Sequence, residues 1–278
     1  MVKIAAMKRP AHCTAAALAA MLLSAPAAIA QPPNGADVVS GEIRPGWRTA
    51  DGTHMAALHL RLADGWKTYW RAPGDAGIPP RFDWRGSDNI TAVTMHWPRP
   101  VAFRQLGTRS IGYTGELVLP LEFTLNDQDS SARVSATVEI GVCEDVCIPV
   151  SLEIEGDLPR AGTSDPVIVE ALAQRPESGH SAGLRTVDCA IEPVSDGLRV
   201  TASIDGPALG RDEVAIFELS DRSIWISEAS SQREGSRLTT SAEMVPESGA
   251  PFALDRSSVR ITILGDERAA ELRGCPSG

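Results

Sequence analysis

The chain has 278 residues, with 36 acidic against 26 basic side chains and a formal net charge of −10 at neutral pH. So acidic a surface repels nucleic acid and anionic lipid, and neither is expected as a partner. No Ser-His-Asp order, phosphate loop or paired-carboxylate arrangement stands out, and the acidic residues read as solvated faces.

In chain order, the first segment carries Lys3, Lys8 and Arg9, then an apolar run from Ala15 to Leu23, then small residues ending Ala28-Ile29-Ala30. This is the layout of a secretory signal peptide, with cleavage expected after Ala30. Ser24 and Pro26 break the apolar run before it reaches the roughly 20 residues of a bilayer span. Cys13 leaves with the peptide. Removal of residues 1–30 takes away three positive charges and leaves 248 residues at a net charge of −13. Four cysteines remain, Cys143, Cys147, Cys189 and Cys275, in a compartment where disulfides persist.

Residues 31–156 show short apolar or alternating runs separated by turn signals, the pattern of an antiparallel β-sandwich. The runs are Met55 to Leu62, Trp66 to Arg71, Ile90 to Trp97, Glu116 to Phe123, Val134 to Val142 and Ile148 to Ile154. The proline-bearing segments from Ala72 to Pro80 and from Trp97 to Pro100 cannot sit inside a sheet and are expected as loops. Residues 157–183 turn richer in Pro, Gly, Ser and Ala and read as a linker. A short helix is predicted there from Pro166 to Gln174, capped by Ser164 or Asp165. Strand-like runs resume at Leu198 to Ile204, Val214 to Leu219, Ile224 to Ser227, Arg237 to Ser241 and Val259 to Leu264, so residues 184–278 are expected to form a second, smaller β domain. Cys189 is expected before its first strand and Cys275 after its last. A structural disulfide between them would tie the ends of that domain, worth about 4 to 5 kcal/mol in the chain-entropy model.

Cys143 and Cys147 differ from that pair. Alternation places Val134, Ala136, Val138, Ile140 and Val142 on one face and Cys143 on the other with Thr137 and Glu139. Beyond Glu144-Asp145-Val146, residues Ile148, Val150, Leu152 and Ile154 point inward, and Cys147 again falls on the polar face. A three-residue connection makes this a hairpin with the cysteines opposed near its tip, within disulfide reach and open to another protein's thiol. Thiol–disulfide exchange requires that combination. Glu144 and Asp145 would raise the thiol pKa values by repelling a thiolate. An ordinary hairpin staple has the same spacing, so the pattern leaves two readings open: an exchange site, or a non-catalytic β-sandwich binding module with structural disulfides only. Zinc is not expected, since a closed site needs four ligands and no histidine lies near the pair.

Three segments together resemble a known family: Gly65-Trp66-Lys67-Thr68-Tyr69-Trp70-Arg71, Gly112-Tyr113-Thr114-Gly115-Glu116-Leu117-Val118-Leu119-Pro120, and Val142-Cys143-Glu144-Asp145-Val146-Cys147-Ile148-Pro149. They are similar to the periplasmic N-terminal domain of DsbD-type thiol:disulfide interchange proteins, and the last is most like the ScsB-related branch. The resemblance covers about residues 38–156. It implies an immunoglobulin-like sandwich relaying electrons from a membrane-embedded conductor to thioredoxin-like periplasmic proteins through a reversible Cys143–Cys147 disulfide, without a cofactor. It also implies a cap loop within Val101 to Ile111, with Phe103 or Leu106 covering the cysteines, and Tyr69 and Tyr113 as site-lining aromatics. Full-length members add a membrane conductor and a thioredoxin-like domain; here no spanning helix and no Cys-x-x-Cys occurs, so either the conductor is a separate protein or the domain has been turned to another use. Copper tolerance and cytochrome c biogenesis are the settings the family suggests. A copper carrier using Met55, His54, His59 and His96 is a third reading, but their spacing matches no compact site.

Overall fold

The computed structural model describes residues 35–75, 77–105 and 107–277. The expected signal segment with Cys13 and the cleavage point after Ala30 lies outside the described residues, as does Leu106. Among the described residues no helix is long and apolar enough to cross a membrane.

After a single helical turn, α1 (Gly35–Val38), the first half runs through ten strands. These are β1 (Val39–Arg48), β2 (His54–Leu62), β3 (Lys67–Tyr69), β4 (Arg81–Asp83), β5 (Ile90–Met95), β6 (Val101–Gln105), β7 (Thr108–Thr114), β8 (Glu116–Leu125), β9 (Ala132–Cys143) and β10 (Cys147–Leu158). One sheet has the order β1-β2-β8-β5, the other β10-β9-β3-β7-β6 with β4 added on β9. Period-two alternation aims Leu58, Leu60, Leu119, Leu121 and Phe123 from the first sheet at Val134, Val138, Ile140 and Val142 from the second. Both proline-bearing segments lie outside strands, as expected.

The helix α2 (Pro166–Ala173) starts where Asp165 accepts a hydrogen bond from the Val167 amide at 2.9 Å. It buries Ile168 against Met55 and Ala57, which gives β2 a covered outer face as well as an inner one.

The second half is also built from two sheets. Its strands are β11 (Glu177–Ser178), β12 (Arg185–Pro193), β13 (Leu198–Asp205), β14 (Val214–Glu218), β15 (Ile224–Ile226), β16 (Ser230–Glu234), β17 (Arg237–Pro246), β18 (Arg260–Leu264) and β19 (Ala269–Arg273). The sheet orders are β11-β19-β18-β14 and β12-β13-β17-β15, with β16 also paired to β17. They enclose a separate core that includes Val200, Ile204, Leu238, Met244, Phe217, Ile261 and Ile263. The chain is thus all-β, of sandwich type. The described residues of both halves nonetheless cluster as one compact unit.

The structure corrects two expectations. Cys189 does not precede the first strand of the second half but sits inside β12, an edge strand whose polar, mostly half-exposed sequence and bulge between Thr186 and Asp188 hide its alternation. The expected cap loop between Val101 and Ile111 is the hairpin β6–β7, paired from Val101 with Gly112 to Gln105 with Thr108.

Candidate functional site

Strands β9 and β10 pair without a register break from Ala132 with Leu158 up to Cys143 with Cys147. A slip of one residue between the two alternating sequences would turn an apolar row to solvent. Glu144, Asp145 and Val146 close the tip, and Cys143 and Cys147 are disulfide-bonded with Cα atoms 4.1 Å apart.

The two sulfurs are not equivalent. Both cysteines were expected on an accessible polar face, yet Cys143 is 0% exposed while Cys147 is exposed. The cause is β3, which lies alongside β9 with Lys67 opposite Cys143 and Thr68 opposite Val142. Side chains alternate, so Lys67 and Tyr69 stand on the face that carries Cys143, while Thr68 turns inward and donates to the Gly141 carbonyl at 2.9 Å.

Tyr69 is buried, and its phenol oxygen lies 2.8 Å from Cys143 Sγ and 3.2 Å from Cys147 Sγ. Disulfide sulfurs carry no proton, so the phenol donates. Burial pushes the Tyr69 pKa upward, which keeps that proton in place. The ring reaches the sulfurs by crossing Gly141, where a Cβ would come within 3.0 Å of Tyr69 Cε2 and 2.7 Å of Ile78 Cβ. Gly65, at φ +84°, makes similar room for Glu144, whose Oε1 a Cβ would approach to 2.7 Å.

Phe103 places its ring 5.7 Å from Lys67 Nζ. In register Phe103 faces Ser110 and Lys67 faces Thr114, four residues along β7. Ser110 and Thr114 are in phase, so Phe103 and Lys67 stand on one face of the sheet, the face bearing the disulfide. Tyr113 stands on the other face of β7: it is buried, donates to the Pro98 carbonyl at 2.8 Å and stacks on Trp97. It packs the core and does not line the site, because alternation on β7 turns it away from Gly112 and Thr114. Asp145 is exposed, Val146 next to Cys147 is 70% exposed, and Ile78 beside Gly141 is 36% exposed. Sequence reasoning missed Lys67, Gly141 and Ile78. Lys67 was recoverable, standing two residues before Tyr69 and so on the same face.

Cys189 and Cys275 are joined and nearly fully buried. Arg256 Nη1 donates to the carbonyls of both, at 2.7 and 3.1 Å. The histidines of the copper reading are dispersed: His54 Nε2 meets the Pro45 carbonyl, His59 Nε2 meets Glu116, and His96 Nε2 meets Glu122. Met55 is in the apolar contact under α2.

Residues 39–158 match the family model described as thiol:disulfide interchange protein DsbD, N-terminal. They form a DsbD-type N-terminal domain. A search of curated protein sequences finds no match. Among solved structures, the N-terminal periplasmic domain of ScsB from Proteus mirabilis is similar, with a TM-score of 0.61, 20% identity, and coverage of 86% of this chain and 92% of that one. At that identity the likeness is one of fold, and it extends over both halves. The secreted serine protease VesC from Vibrio cholerae, with a TM-score of 0.18 at 10% identity, carries no argument.

Proposed function

We propose that the DsbD-type domain of residues 39–158 belongs to an exported, periplasmic protein that passes electrons to a partner by thiol–disulfide exchange at Cys143 and Cys147. The observation that carries this reading is the unequal exposure of one disulfide: Cys147 open at a hairpin tip, Cys143 sealed behind it against a phenol hydroxyl. A staple has no use for such an asymmetry. Exchange does, because an in-line attack needs one reachable sulfur and one stabilised leaving sulfur.

To recharge the protein, the thiolate of a donor dithiol attacks Cys147 Sγ, the Cys143–Cys147 bond breaks, and Cys143 takes the electron pair as a thiolate. The donor's second thiolate then displaces Cys147 from the mixed disulfide, leaving the donor oxidised and the pair reduced by two electrons. The same steps in reverse reduce an acceptor's disulfide, with Cys147 attacking and Cys143 resolving. No cofactor enters either step. The donor fitting this scheme is a separate membrane electron conductor, the acceptor a thioredoxin-like periplasmic protein, and the exposed apolar side chains of Val146 and Ile78 offer such a partner a surface to dock on. Cys189–Cys275 serves as the structural disulfide.

The deciding measurement is the reduction potential of the Cys143–Cys147 pair in glutathione buffers, with alkylated thiols counted by mass spectrometry. An exchange site titrates above about −300 mV while Cys189–Cys275 stays closed. If both pairs resist reduction alike, the binding-module reading replaces this one.

A further inference from the structure

We propose that Lys67 is a positioning residue for the sulfur chemistry: its ammonium stabilises the Cys143 thiolate that forms when the disulfide opens. The inference rests on the exchange reading and gives that site a charge partner which composition and register both single out.

Composition comes first. Beyond residue 30 the chain contains one lysine, Lys67, and every other side chain of permanent positive charge is an arginine. The one exception stands directly opposite Cys143 across the β3–β9 ladder. Opposed residues share a face, with Cβ atoms about 4.5 to 5.5 Å apart. That Tyr69, two residues on, reaches both sulfurs establishes which face this is.

The chemistry of the residue fits the place. A guanidinium is a planar fork of five donors that needs a matching set of acceptors, whereas an ammonium is a compact point charge suited to a single sulfur atom. The Lys67 ammonium lies over the Phe103 ring face, 5.7 Å from its centroid. A cation–π contact of this kind holds the cation at the Phe103 ring while the sulfurs are neutral. When a thiolate attacks Cys147 and the electron pair moves to Cys143, a negative charge appears in a fully buried position. Lys67 then faces it, with the Tyr69 hydroxyl as the second stabilising group. The other titratable or charged groups around this face are Glu139 along β9, Glu144 and Asp145 at the tip, Arg81 opposite Glu139, and Arg104 on β6. The acids near the tip disfavour a thiolate, which makes the lysine the group that offsets them.

The test is a titration of Cys143 in the Cys147→Ser protein, where Cys143 is a free thiol and the Cys189–Cys275 disulfide is silent. Thiolate absorbance in the ultraviolet is followed against pH for Lys67 and for Lys67→Met, Lys67→Gln and Lys67→Arg, with thermal unfolding as a check on folding. The neutral variants are expected to raise the Cys143 pKa by about one unit or more, a tenfold loss of thiolate below that pKa. Lys67→Arg is expected to recover at least half of the shift. The proposal is overturned if the folded neutral variants titrate within about 0.3 unit of the parent, or if arginine shifts the pKa as far as methionine does. The titration requires neither a partner nor a reducible native pair. It therefore succeeds or fails separately from the exchange reading, which the reduction potential of the unsubstituted protein decides.

Discussion

Replacing Tyr69 by phenylalanine removes one hydroxyl and leaves the ring packed across Gly141. In the oxidised protein that hydroxyl donates to two neutral sulfurs at 2.8 and 3.2 Å, a bond worth at most the roughly 0.5–1.5 kcal/mol of a neutral pair. In the reduced protein above the thiol pKa it donates to a thiolate, which is worth about 1.5–3 kcal/mol. The difference, about 1 to 1.5 kcal/mol, favours the reduced form. Tyr69→Phe should therefore make the Cys143–Cys147 potential more negative by about 20 to 30 mV, at 30 mV per 1.4 kcal/mol for a two-electron couple. It should also raise the Cys143 pKa by about one unit. The effect on potential should vanish below the thiol pKa, where both redox states are neutral. Glutathione equilibration at two pH values, with mass-spectrometric counting of alkylated thiols, measures it. The reasoning is refuted if the potential and the thiol titration are both unchanged. It is equally refuted if the variant unfolds many degrees lower, for then the hydroxyl was holding the fold and not tuning the sulfur.

Further outcomes follow from the same geometry. Cys143→Ser, which leaves the exposed sulfur, should trap a mixed disulfide with a thioredoxin-like partner, whereas Cys147→Ser, which leaves the buried one, should not; non-reducing electrophoresis distinguishes them, and equal trapping by both would defeat the assignment of Cys147 as the attacked sulfur. Replacing Cys189 and Cys275 together by serine should cost about 4 kcal/mol of stability and lower the melting temperature by roughly 8 to 16 °C, with the Cys143–Cys147 potential unmoved. His54 is fully buried, and burial depresses its pKa below 6.5 despite the opposing bond to the Pro45 carbonyl. Below pH 6.5 the unfolded chain therefore binds more protons at this position than the native one, so this contribution to stability is lost as pH falls. The drop in melting temperature between about pH 7 and pH 5.5 should be smaller in His54→Gln, and an identical drop would remove His54 as its source.

How far the sequence could be read depended on how regular each element is. Strands β9 and β10 alternate cleanly from Ala132 to Leu158, so the hairpin, its register and the meeting of Cys143 with Cys147 were legible from residues alone. Strand β12 was not: Thr186, Asp188 and Glu192 interrupt its apolar residues and a bulge shifts their phase. Strand β1 carries Gly41, Pro45 and Gly46 and breaks register between Arg44 and Trp47, so local pattern again gave no period. The burial of Cys143 was illegible for a different reason. Alternation says which side of a sheet a residue takes, but the cover on that side comes from Tyr69 on β3, 74 positions upstream of Cys143, and no local pattern encodes which distant side chain will lie over a sulfur.

The segment from Lys67 to Arg71 shows how one short strand joins these levels. Alternation sends Lys67 and Tyr69 to the disulfide and Thr68 and Trp70 to the interior, where Trp70 is 0% exposed. Arg71 lies over the Trp70 ring, its guanidinium carbon 4.1 Å from the ring centre. It then grips the second half through Glu218, at 2.8 and 3.0 Å, and Glu271, at 2.8 Å. Burial works against the Arg71 charge, but the bonds and charges of Glu218 and Glu271 outweigh it and hold its pKa above the usual value. Breaking a fully buried pair of this kind costs about 3–5 kcal/mol; these side chains keep 13 to 18% of their surface exposed, so the cost here is lower. The strand that presents Lys67 and Tyr69 to the sulfurs is thus pinned at both ends, by the β9 ladder at Lys67 and by carboxylates of the second half at Arg71. A phenol whose distances to two sulfurs differ by only a few tenths of an ångström needs such a support, since a small slide of β3 would take its hydroxyl off one sulfur or both.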